Sequence, residues 1–282
     1  MNPTIRPKLG WTLLAILATA AALSGLADEA GEHYANKAFT RALVTFAVSR
    51  TLNGAISVAQ GTEVAVEPAG VGVIFSVGQI LDPINDLVER FSAVMLVATS
   101  SLGLQNVLLD ITAWWGMDVA LVAAAGFLLV ALWWPGIAAG GKTENVAIRV
   151  LLIALFLRFA IPLLVVGTNL VFDTFLAAEQ TAATEALEAT STEIEELNEE
   201  AARPPAEDQS LLDQLGSMID DSLESMNVSA RLERLSEQVA NASEHIINLI
   251  VIFVLQTVIL PLVFIWLLVQ LVKSLAARAT RL

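Results

Sequence analysis

Arg158 is the residue whose chemistry most needs an explanation. It stands inside the apolar stretch 146–172, where a charged side chain costs at least a few kcal/mol. Asn169 follows eleven residues later, about 20° around a helix of 3.6 residues per turn, so the two share a face. In the later apolar stretch 246–272, taken as antiparallel, Gln256 falls at a similar depth, with Pro261 nearby to free backbone carbonyls. Arg158, Asn169 and Gln256 therefore form a candidate intramembrane polar site. It has two readings. One is an anion or proton path lined by Arg158. The other is a structural arginine paired with Gln256, Asn169 or an acid such as Asp110. Arg149, on the opposite face near the edge of the same stretch, is expected to snorkel to the interface.

Other chemistry is sparse. The chain has no Gly-rich phosphate loop, no HExxH, no EF-hand spacing and no Gly-x-Ser-x-Gly. It has no cysteine, which excludes disulfides, thiolate catalysis and cysteine metal sites, and only two histidines, His33 and His245. The cluster Glu193, Glu195, Glu196, Glu199 and Glu200 reads as a solvated helix face, because nothing supplies the geometry of a calcium loop. Asn227-Val228-Ser229 and Asn241-Ala242-Ser243 match glycosylation tripeptides, which arise often by chance. No catalytic residue, cofactor or metal is expected, no enzymatic activity, and no nucleic-acid partner.

The elements that must position Arg158 follow from composition. Of 282 residues, 56% are hydrophobic and 16% charged, more apolar surface than a soluble interior of this length can hide. The net charge of −14 is local: 173–245 carries 18 of the 29 acids and 3 of the 15 bases, a net of −15. A nearly neutral membrane body thus bears one acidic appendage.

A crossing helix needs roughly 20 apolar residues. Residues 117–134 qualify, between the pairs Trp114-Trp115 and Trp133-Trp134 placed as interfacial aromatic belts. So do 146–172 and 246–272, and 10–27 has about the minimum length. Arg6, Lys8, the apolar run from Trp11 and Gly25-Leu26-Ala27 would also serve as a cleavable signal peptide; an uncleaved anchor is the reading adopted. The stretch 91–109 is long enough to span. Counting it would move Lys142, Lys273, Arg278 and Arg281 to the outer face against the positive-inside rule, so it is expected to pack as a buried or interfacial helix.

The expected fold is therefore a mainly α integral membrane protein with about four transmembrane helices. Residues 1–9, 135–145 and 273–282 are cytoplasmic, and 28–116 and 173–245 extracytoplasmic. In the first outer region, 30–60 reads as a helix with Phe39, Leu43, Phe46 and Ala47 on one face and Lys37, Arg41 and Arg50 nearby. A β-hairpin is expected near 62–78 around Pro68-Ala69-Gly70, and Asp82-Pro83 should open the next helix. The acidic segment 173–245 reads as a coiled-coil-like antiparallel helical hairpin broken at Pro204-Pro205. Its first arm carries Leu176, Ala183, Leu187, Ile194, Leu197 and Ala201, with Gln180 and Thr190 interrupting the seam. Its second arm carries Leu232, Leu235, Val239, Ala242 and Ile246, continuing through Leu249 and Phe253.

Composition points to a bacterial inner membrane with 173–245 in the periplasm. The leading functional expectation is a homo-oligomeric scaffold or assembly subunit that presents the acidic hairpin to an extracytoplasmic protein partner. The alternative is an oligomeric ion channel or pore with Arg158 near the midplane.

Overall fold

The computed structural model describes residues 5–60, 63–66, 73–134, 142–201, 237 and 240–279. Almost all of them are helical. The helices are α1 (Ile5–Leu23), α2 (Leu26–Gln60), α3 (Val77–Ala113), α4 (Trp115–Trp133), α5 (Lys142–Phe175), α6 (Ala177–Ala201) and α7 (240–279). Glu63–Val66 runs antiparallel to Val73–Ser76, with Glu63 opposite Ser76; the turn expected at Pro68–Gly70 lies outside the described residues, as do Pro204, Pro205, Leu232, Leu235 and Val239. Among the described residues, five stretches are long and apolar enough to cross a membrane: Leu26–Gln60, Ile84–Ala113, Trp115–Trp133, Lys142–Phe175 and Ala240–Arg278; Lys8–Leu23 is a shorter apolar helix. The chain is an integral membrane protein.

Two helix breaks have visible local causes. Between α1 and α2, Gly25 adopts φ +68°, a conformation open mainly to glycine; its carbonyl then accepts from the amides of Asp28 and Glu29, both at 3.0 Å. Between α3 and α4, Trp114 is extended, with φ −61° and ψ 133°. Its ring folds back over Gly116, where an added Cβ would stand 2.2 Å from the indole. Inside α7, Leu255–Ile259 forms a π turn. Pro261 lacks the amide that an α-helix would direct to residue 257, which accounts for the local change of hydrogen bonding.

The chain divides into two compact units: Met1–Arg41 with Ser100–Phe175 and Val254–Leu282, and Ala42–Thr99 with Leu176–Phe253. In the first, α4 packs against α1 and α5, and α5 against α7. The core where α1, α4 and α5 meet is built from Ala and Leu, including Ala15, Ala22, Leu121, Leu128, Ala147 and Leu151. Further along α5, Gly31 of α2 makes a close approach: a Cβ there would meet Leu109 Cδ2 at 2.9 Å and Pro162 Cα at 3.6 Å.

In the second unit, Leu52, Ile56, Val88, Phe91 and Met95 are buried with Ala183, Leu187, Ile194, Ala242, Ile246 and Leu249. Hydroxyls and an amide share this interior. Gln180 Nε2 donates to Thr45 Oγ1 at 3.0 Å and Thr184 Oγ1 at 3.1 Å, and Ser92 Oγ donates to Ser49 Oγ at 3.2 Å.

One expectation needs correction, and α2 has a defined buried face. The inward face of α2 is Gly31, Ala35, Ala38, Ala42, Thr45, Ser49 and Leu52, whereas Leu43 and Ala47 are exposed. Small side chains at Gly31, Ala35 and Ala38 let a neighbouring helix approach closely. The correction concerns α3, which begins at Val77, directly after the strand, so that Asp82 and Pro83 lie inside it. Asp82 instead accepts from Gln60 Nε2 at 3.0 Å.

Candidate functional site

Helix ends leave backbone groups without partners, amides at the start and carbonyls at the finish. Three such ends meet around Arg158. Asp28 lies in the first turn of α2 and Asp118 in the first turn of α4, where a carboxylate is favoured by the positive end of the helix dipole. Ala22 belongs to the last turn of α1. The Arg158 side chain is 1% exposed and reaches all three. Its Nη1 and Nη2 donate to Asp28 Oδ1 at 2.6 Å and Oδ2 at 2.5 Å, and its Nε donates to Asp118 Oδ1 at 2.7 Å. Nη2 also approaches the Ala22 carbonyl at 3.5 Å. The two-pronged contact with Asp28 uses the planar fork that distinguishes arginine from lysine. Arg158 thus ties three helix ends to the middle of α5.

Two further ionic contacts lie along the same helix. Toward its start, Lys8 Nζ donates to Glu144 Oε1 and to the Leu132 carbonyl, both at 3.0 Å; Leu132 sits in the last turn of α4. Toward its end, Asp173 accepts from Lys37 Nζ at 2.9 Å and Arg41 Nη1 at 2.8 Å. Arg41 also donates to Asn169 Oδ1 at 3.0 Å and lies over the Phe172 ring, 4.0 Å from its centroid.

The spacing between the first two contacts is the same on every helix. Lys8 to Ala22, Asp118 to Leu132 and Glu144 to Arg158 are each fourteen residues, or ~21 Å of helix rise. Five of the six tryptophans lie within four residues of these levels. Trp133 Nε1 donates to Thr12 Oγ1 at 3.1 Å, next to Trp11, while exposed Trp114 and Trp115 flank the other level.

The three residues singled out in the sequence are all buried, but they do not form one cluster. Asp28 and Asp118 take up Arg158, rather than Asn169, Gln256 or Asp110. Asn169 belongs to the Arg41–Asp173 group, and its Nδ2 donates to the Val165 carbonyl at 2.9 Å. Gln256 lies in the π turn, which packs on α5, and its Nε2 has no partner among the described residues. The signal for Asp28 and Asp118 was present in the sequence: both are acids at the margins of apolar stretches, at positions that become first helical turns. No protein-family model, curated protein or solved structure matches this chain.

Proposed function

We propose that this chain is a non-enzymatic membrane scaffold or assembly subunit, homo-oligomeric, that crosses the bilayer four times and presents an acidic helical hairpin on the outer side. The observation that carries the reading is the closed arrangement at Arg158: the charge inside the apolar body is spent on holding helix ends together, which is an architectural task. In this proposal the hydrocarbon slab lies between Trp11, Trp133 and Trp134 on one side and Trp114 and Trp115 on the other. That is ~27 Å along α4, close to the ~30 Å of a bilayer core. Arg158 then lies near the outer boundary rather than at the midplane.

Four crossings, by α1, α4, α5 and α7, are supported by chain direction within the first unit. Asp28 meets Arg158 and Arg41 meets Asp173, so α2 runs along α5 in the direction α1 has already taken and leaves the slab. Leu109 of α3 lies by Gly31 and Gly103 by Phe39, so α3 returns antiparallel to α2. Leu104, Val107, Leu163 and Leu170 are exposed beyond the proposed slab, and an apolar surface of that kind suits a neighbouring copy. The first arm of the hairpin buries Ala183, Leu187 and Ile194 and exposes Glu185, Glu188, Glu193, Glu195 and Glu196, a face suited to a basic periplasmic partner. The hairpin near 62–78, the coiled-coil pairing of the acidic arms and an inner-membrane location complete the proposal.

A pore reading draws on buried Gln256 Nε2 and Thr168 Oγ1, which have no partner among the described residues. Planar-bilayer recording separates the two. The scaffold predicts no unitary currents from purified protein at ±100 mV, and reproducible currents altered by Gln256→Leu would overturn it. Single cysteines at exposed Thr192 and Ser274 should label with an impermeant thiol reagent from opposite sides; same-side labelling would sink the four-crossing arrangement.

A further inference from the structure

The inner end of α5 and the last turns of α7 enclose a groove of about 360 Å³ lined by Arg149, Lys273, Leu152, Ile153, Val272 and Ala276. Its cations differ from those that tie the helices of this unit together. Lys8, Lys37, Arg41 and Arg158 each face a carboxylate. Arg149 and Lys273 face none among the described residues, and both are exposed. Two unpaired cations therefore share one groove whose remaining walls are aliphatic.

An uncompensated pair of positive charges beside an apolar wall calls for a ligand that is anionic at one end and hydrocarbon at the other. We propose that this groove binds the phosphate of an anionic glycerophospholipid between Arg149 and Lys273, with an acyl chain lying along Leu152, Ile153 and Val272. Arg149 supplies a planar guanidinium fork for two phosphate oxygens, and Lys273 a compact ammonium from the opposing helix. Because the cations come from different helices, the lipid bridges α5 and α7 where no carboxylate among the described residues does so. A zwitterionic lipid fits less well, since its own ammonium would enter a site already doubly positive. The inference needs only that the helices cross a bilayer, and holds for a scaffold or a pore alike.

Native mass spectrometry of the full-length protein, released from detergent with added phosphatidylglycerol, phosphatidylcholine or inorganic phosphate, tests the site. The wild-type protein should retain one phosphatidylglycerol at least ten-fold over phosphatidylcholine, and unfold several degrees higher with it than with inorganic phosphate at equal concentration. Arg149→Gln with Lys273→Gln should abolish the preference, and Arg149→Lys should keep part of it. Equal retention of the two lipids, a preference that survives the double substitution, or full stabilisation by inorganic phosphate alone would each overturn the proposal. Should the double variant not fold, salt decides on the wild-type protein: loss of the preference in 0.5 M NaCl supports the ionic contact, and its persistence refutes it.

Discussion

In the unit formed by Met1–Arg41, Ser100–Phe175 and Val254–Leu282, charge is inside and large apolar side chains are outside: Arg158 is 1% exposed while Leu13, Leu17, Leu157 and Leu262 are each more than half exposed. In the unit formed by Ala42–Thr99 and Leu176–Phe253, Leu187, Ile246 and Phe253 are inside and Glu179, Glu185, Glu188, Glu193, Glu195 and Glu196 of α6 are exposed, although α2 and α3 still expose Leu43, Val44, Leu96 and Val97. Under the proposed four-crossing arrangement, the difference lies in what surrounds each helix. Where the medium is apolar, only close packing and ion pairing distinguish the inside of a bundle from its outside. Where the medium is water, apolar burial itself selects the face.

The largest expected effect breaks the first half of that comparison. Arg158→Leu leaves Asp28 and Asp118 without their cation and should cost roughly 3 kcal/mol or more. It would appear as loss of monodisperse protein on size exclusion and a lower thermal midpoint in detergent. Restoring most of the midpoint by adding Asp28→Asn and Asp118→Asn would identify the unpaired carboxylates as the cause; no effect of the single change would refute the tie between helix ends. The second half is broken by Leu187→Asp, which places a carboxylate in an apolar core position at a cost of roughly 2–4 kcal/mol. The same substitution at exposed Leu17, within a proposed crossing, should impair membrane insertion instead. Circular dichroism and membrane fractionation distinguish these outcomes, and identical behaviour of the two variants would erase the contrast.

The smallest effect sharpens it. Glu185 and Glu188, three apart on the exposed side of α6, repel each other by a few tenths of a kcal/mol. Glu188→Lys should therefore raise the thermal midpoint slightly, and the gain should shrink as salt rises from ~0.01 to ~0.15 M and the Debye length falls from ~30 to ~8 Å. A midpoint that falls on this change would show that the acidic face is already engaged.

The sequence made some of this legible. Ala183, Leu187, Ile194, Ala242, Ile246, Leu249 and Phe253 were placed by heptad spacing and all are buried. Spacing works there because one periodic face separates water from core. Gln180, an interruption of that spacing, is buried as well, since Thr45 and Thr184 satisfy its amide. On α2, Phe39 and Phe46 are half-buried while Leu43 and Ala47 are exposed, so shared helical spacing alone did not mark the buried face. Asp28 and Asp118 could be marked as acids beside apolar stretches but not paired with Arg158: they are 130 and 40 residues away, and no helical period relates them. Only the coincidence of two helix starts and one helix finish does so, and those boundaries depend on the φ of Gly25 and the extended Trp114.

The shared fourteen-residue interval has a consequence for how such a chain tolerates insertions and deletions. One residue added between Glu144 and Arg158 would turn the guanidinium about 100° and lift it 1.5 Å, away from both aspartates. Two full turns would restore its direction but carry it ~10 Å beyond them. A length change in α1, α4 or α5 alone therefore unhooks one end of the ruler or the other. Related chains adapted to thicker or thinner bilayers should have lengthened or shortened all three helices in step, and a single-helix indel between these anchor points should be absent among functional variants.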